Sequence, residues 1–166
     1  MSAERPSFAA AAERHLDDVY AYLVYLTGDR ILAEDITGDT FERALRRWRR
    51  FDPDRGTVKT WLCQLARGAA LDHFRGEERR RRREDRYAAD VREAAVPPFG
   101  EGLSPALERA LASLSRDERE VVALRVLLEL DNQATARLLG VSATACSTRL
   151  SRALQKLESE VRDAVA

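Results

Sequence analysis

Two stretches of this 166-residue chain carry side chains suited to holding a polyanion. Between Asn132 and Leu157 lie Arg137, Arg149, Arg152 and Lys156, and not one acidic residue. From Ala143 onward, Ser147, Thr148, Arg149, Ser151, Arg152 and Lys156 fall on the side of a helix away from its apolar residues, where such groups can bond base edges or phosphates of duplex DNA. The same pattern also suits the solvated face of an ordinary surface helix. The second stretch mixes aromatic and basic residues: Lys59, Trp61, Arg67, His73, Phe74 and Arg75, followed by the run Arg79 to Arg83. Aromatic rings stack on unpaired bases while cations hold the phosphates, which is the chemistry of single-strand binding. Trp61 and Phe74 at helical spacing equally suit a packed core, and an arginine run suits a solvated helix end.

Covalent chemistry finds no foothold in the sequence. There is no paired histidine and carboxylate cluster, no glycine-rich phosphate loop and no nucleophile elbow, so the expectation is a protein that is not an enzyme. Cys63 and Cys146 stand 83 positions apart without a CxxC, and the only histidines are His15 and His73. Neither a disulfide framework nor a zinc site is indicated, and no cofactor or metal is expected. Both cysteines read as small buried hydrophobes in a reducing compartment. No apolar run of signal-peptide length follows Met1 and no window approaches a membrane span, so a cytoplasmic protein without membrane insertion is expected.

These residues need helices to position them. Hydrophobic residues make up 45% of the chain, enough for packed cores, and richness in Ala, Leu, Arg and Glu favours an all-α fold. The formal charge of zero hides an uneven distribution: −6 over residues 1–42, +8 over 43–86 and −2 over 87–166. Pro97-Pro98, Gly100, Gly102 and Pro105 interrupt any helix between Tyr87 and Pro105, which divides the chain into two small helical domains, residues 1–86 and 105–166, joined by a flexible linker over 87–104.

Before the linker the periodicity predicts three helices. The first runs from about Phe8 to Leu26, with Leu16, Val19, Tyr20, Leu23 and Leu26 on one face, and stops at Thr27-Gly28-Asp29. The second covers about Ile31 to Arg50 and places Ile31, Asp35, Phe41, Leu45 and Trp48 on neighbouring turns. After a turn at Phe51 to Gly56, the third starts near Thr57 with Val58, Leu62, Leu65 and Ala69 along a stripe. Beyond the linker, Ser104-Pro105 and the capping box Ser115 to Glu118 each start a helix. A short helix at Asn132–Leu139, closed by Gly140, and a last helix capped by Ser142 complete a helix-turn-helix, with Cys146, Leu150, Leu154, Leu157 and Val161 on the core side.

Four ordered motifs make the chain similar to a known family. AEDITGDTFERAL (Ala33 to Leu45), WLCQLARGAALDHFR (Trp61 to Arg75), LSRDEREVVALR (Leu114 to Arg125) and LLGVSATACSTRLSRALQKL (Leu138 to Leu157) resemble bacterial RNA polymerase sigma factors of the extracytoplasmic-function class. The resemblance implies a first domain of the sigma region 2 type, which binds core polymerase and opens the −10 promoter element, and a second of the sigma region 4 type, which reads the −35 element. It assigns Asp35, Asp39, Phe41, Arg46 and Trp48 to polymerase docking, and Lys59, Trp61, Arg67, His73, Arg75 and Arg79 to the −10 strand. Arg137, Thr144, Ser147, Thr148, Arg149, Ser151, Arg152 and Lys156 go to the −35 duplex. The implied partners are core RNA polymerase, through its beta-prime clamp and beta flap, promoter DNA, and an anti-sigma factor. Two other readings stand beside it: a stand-alone helix-turn-helix regulator, and a sigma-like protein that binds polymerase or an anti-sigma factor without reading DNA. Departures from the family pattern fall at Gly38, Gly68, Ala134-Thr135, Thr144-Ala145-Cys146 and Ser147, so promoter preference is not legible.

Overall fold

A computed structural model describes residues 4–84 and 99–166, and within them every regular element is helical. Helices α1 (Phe8–Thr27), α2 (Arg30–Arg47) and α3 (Val58–Glu84) form the first half, and a 3-10 turn at Trp48–Arg50 extends α2. Helices α4 (Pro105–Ser113), α5 (Arg116–Val122), α6 (Asn132–Leu139) and α7 (Ala143–Val165) form the second, with a π-helical turn at Ala123–Leu127 after α5. Most of the expected linker, including Pro97-Pro98, lies outside the described residues.

The ends of these helices follow from local chemistry. Asp29 accepts the backbone N–H groups of Ile31 and Leu32 at the start of α2, and Ser104 accepts that of Leu107 at the start of α4, where Pro105 needs no partner for a missing N–H. Ser115 and Glu118 close a reciprocal capping box. Gly28 ends α1 at φ 65°, a left-handed conformation that costs glycine little.

The first half packs on alanines as much as on large side chains. Val19, Tyr22, Leu23 and Leu26 of α1 meet Ile36 of α2 and Leu62 of α3, while Ala33, Ala44, Ala66, Ala69 and Ala70 are each no more than 5% exposed. Small side chains at these positions allow the helix backbones to approach closely. Thr37 and Thr40, also buried, donate their hydroxyl hydrogens to the Ala33 and Ile36 carbonyls, so no polar atom is stranded there.

Four of the apolar residues named on these helices are on the surface, and for Leu16 and Leu154 this departs from the stripes expected to face the core. Leu16 is 46% exposed, Ile31 76%, Leu45 58% and Leu154 42%. In α1 the reason is a shift of the buried stripe: Tyr22, Val24 and Tyr25 are buried because α1 packs against α5 and the π-turn as well as α2 and α3. In α2 the buried set is Ala33, Ile36, Thr37, Thr40 and Ala44, which turns Ile31 and Leu45 outward. In α7 the core side is taken by Cys146, Ala153 and Leu157, with Leu150 and Val161 partly covered.

The π-turn had no signal in the sequence. Leu128 donates its N–H to the Ala123 carbonyl at 2.8 Å, five residues back, and Leu130 donates to Leu124 at 2.9 Å. Glu129 turns the chain at φ 56°, and the Arg125 guanidinium donates to the Leu130 carbonyl. This widened turn brings Leu128 and Leu130 into the core and sets the angle at which α6 leaves.

Candidate nucleic-acid interface

Helices α6 and α7 are held as a rigid corner. Gly140 adopts φ 68° and donates to the Arg137 carbonyl, while Val141 donates to that of Ala136, the paired closure of a Schellman motif. Asn132 Nδ2 reaches across to the Ala143 carbonyl at 2.9 Å, and Ser142 accepts from Ala145 N–H. With Cys146, Ala153 and Leu157 buried on one side, Thr144, Ser147, Thr148, Ser151 and Arg152 are exposed on the other. At about 100° per residue these five share an arc of about 140°. Arg149 lies half-buried at the edge of that arc, and Arg137 is exposed on α6. Among the described residues, Arg149 and Arg152 form no hydrogen bond or ion pair.

Lys156 is engaged differently, with its Nζ 2.6 Å from Glu118 Oε1 of α5. That bond, followed by the one from the Ser115 backbone N–H, holds the Glu118 carboxyl below its usual range. Because the folded value is depressed, the stabilisation is complete above the ordinary glutamate value and is lost as pH falls through the folded one. A Glu118→Gln variant should therefore show a flatter melting-temperature profile below about pH 4.3. Parallel profiles for variant and parent would reject this linkage.

The residues on α3 do not share one face. Lys59, Arg67 and Phe74 lie within about 80° of one another, whereas Trp61, Arg75 and Arg79 lie about 160–200° from Lys59. Arg75 and Arg79 are exposed, with Arg75 paired to Asp72 at 3.3 Å. His73 Nε2 stands 3.5 Å from Glu77. Trp61 enters an aromatic cluster, its ring centroid 5.8 Å from Trp48 and 5.5 Å from Phe51. Phe8 closes that cluster edge-on to Trp48 at 5.6 Å.

Lys59 and Arg67 point at the other half of the chain. Lys59 donates to the Leu128 carbonyl and lies 3.6 Å from Asp18, while Arg67 Nε is 2.8 Å from Glu120 of α5. Neither Glu120 nor its second partner, Tyr22, stands out in the sequence as a site residue. The available signal was phase: Glu120 stands three and four positions before Ala123 and Leu124, both buried.

On α2, Asp35 and Asp39 are exposed, and Arg46 is exposed but paired with Glu42 at 2.6 Å. Phe41 and Trp48 are part-buried. A Cβ at Gly38 or Gly68 would meet no atom within 4 Å, so packing does not demand glycine at either departure. Burial pushes the Cys63 thiol up to about 12 and raises that of Cys146, leaving both as thiols at neutral pH. Among the described residues no helix is long and apolar enough to cross a membrane.

Comparison with known proteins fits this arrangement at both ends. Residues 11–80 match the family model for Sigma-70 region 2, and residues 104–157 match that for Sigma-70, region 4. The ECF RNA polymerase sigma factor SigC of Mycobacterium tuberculosis is 32% identical over 84% of this chain and 75% of its own length. The chain belongs to the extracytoplasmic-function class of RNA polymerase sigma factors. As a sigma factor it is a polymerase-binding, promoter-recognising protein, and the stand-alone regulator reading falls away because both sigma domains are present in order. The ECF sigma factor BldN of Streptomyces coelicolor is 34% identical over 93% of this sigma factor, which spans 60% of BldN's length. The fold is shared with the sigma factor RpoE of Bartonella quintana, solved with the anti-sigma factor NepR, at a TM-score of 0.79 and 22% identity over 93% of this chain and 96% of that one.

Proposed function

We propose that α7 of this sigma factor reads the −35 element in the major groove, that α3 handles the −10 strand, and that the exposed Asp35 and Asp39 side of α2 docks on the polymerase clamp. The observation that supports it best is the one-sided build of the first four turns of α7, Ala143 to Leu157: apolar residues on one face, and on the other a hydroxyl and guanidinium surface with no carboxylate to repel phosphate before Glu158. Arg137 on α6 extends the same positive surface. In this reading the beta flap receives the second domain, the polymerase performs all the chemistry, the chain works in the cytoplasm, and an anti-sigma factor controls it. The RpoE–NepR complex supports that last element through a chain of the same fold.

Purified components test the proposal. Core polymerase with this chain should initiate at a cognate promoter, while the chain alone should scarcely melt DNA. Tight duplex binding by the isolated chain, with no initiation when polymerase is added, would overturn it.

A further inference from the structure

Glu120 is the one charged side chain among the described residues that is fully buried, at 2% exposure. Its Oε1 accepts from Tyr22 Oη of α1 at 2.6 Å and from Arg67 Nε of α3 at 2.8 Å. The carboxylate comes from the second half of the chain and both of its partners from the first. A buried carboxylate is strongly unfavourable unless paired and hydrogen-bonded, so this site is satisfied only while the two halves are together.

The surrounding contacts cross the same boundary. Arg119 Nε donates to the Tyr25 carbonyl at 2.9 Å, and the Arg116 guanidinium lies 3.6 Å above the Phe74 ring. Phe99, buried at the far end of the linker, packs edge-on to Tyr25 at 5.4 Å. Lys59 is spent on the Leu128 carbonyl. The cations on this side of α3 are thus occupied by the chain itself.

We propose that Glu120 is an autoinhibitory latch: its carboxylate stands on Arg67 where a strand phosphate would sit, and it holds the two domains closed until polymerase or promoter separates them. A carboxylate and a phosphodiester each offer an arginine anionic oxygens that accept its N–H bonds, so one displaces the other without leaving the guanidinium bare. Apolar packing of α1 on α5 and the π-turn crosses the same boundary, and the Glu120 site adds to it the polar contacts that polymerase or a phosphate can replace. This inference rests on α3 being the strand-binding helix.

The test uses the full chain with spin labels on Glu34→Cys and Glu160→Cys, both exposed and one in each half, the native thiols being buried. Pulsed electron spin resonance should give one narrow distance in the otherwise unaltered chain. Tyr22→Phe, which removes a single hydrogen bond to a charge, should raise the open-to-closed ratio about tenfold, and Glu120→Ala by at least as much. Affinity for a −10 single-stranded oligonucleotide should rise by the same factor. Circular dichroism verifies that helicity is retained, and the isosteric Tyr22→Phe keeps the test valid should Glu120→Ala unfold. Unchanged distances in Tyr22→Phe, or opened distances without a gain in strand affinity, would overturn the latch. Closure is read without polymerase, so its failure is separate from a failure to initiate transcription.

Discussion

Replacing Trp61 with alanine should lower the unfolding free energy by about 3 kcal/mol, the lower end of the range for deleting a large aromatic because the side chain is only part-buried. The ring touches Trp48 and Phe51, and each such pair contributes about 0.5–1.5 kcal/mol beyond the area it buries. The cluster also ties down the chain's start, since the Arg5 guanidinium donates to the Arg49 and Phe51 carbonyls beside it. Urea denaturation should show an earlier midpoint with an unchanged slope, and Trp61→Phe should recover most of the loss. A Trp61→Ala variant that melts like its parent but fails to open promoter DNA would instead make the indole a stacking platform for a base.

Replacing Arg152 with alanine should weaken binding to a −35 duplex. If the guanidinium meets a base edge, the loss should be about 1–3 kcal/mol and confined to the cognate sequence. If it meets a phosphate, affinity should fall across all sequences and the slope of log affinity against log salt should drop by about one unit. Arg152 is the better probe than Lys156, whose ammonium is already bonded to Glu118, because its removal breaks nothing inside the protein. Unchanged affinity and slope would move the reading surface off this arc of α7.

How much of this was legible beforehand depends on the range of the forces involved. Asn132–Leu139 was read to the residue because Gly140 and Ser142 state its end and the next beginning through local backbone chemistry. The capping box at Ser115 was equally local. The π-turn at Ala123–Leu127 was not, since it follows from fitting Leu128 and Leu130 into a core whose other members lie far away in sequence. Leu16 departs from its expected face for a related reason: periodicity gives the apolar stripe of an isolated helix, whereas packing on two sides shifts which residues are covered. The α3 residues were grouped by nearness in sequence, and helix geometry then divided them between two sides. The meeting of residues 22, 67 and 120 was out of reach, because no local pattern couples positions in three separate helices.

The alanines between the first three helices carry a consequence for how this domain can change over generations. Ala33, Ala44, Ala66, Ala69 and Ala70 leave almost no room, so a methyl group gained on one helix must be matched by one surrendered across from it. Drift along that seam proceeds by compensated exchange, one partner at a time being a losing step, while the exposed arc of α7, which packs against nothing in the chain, is free of that constraint.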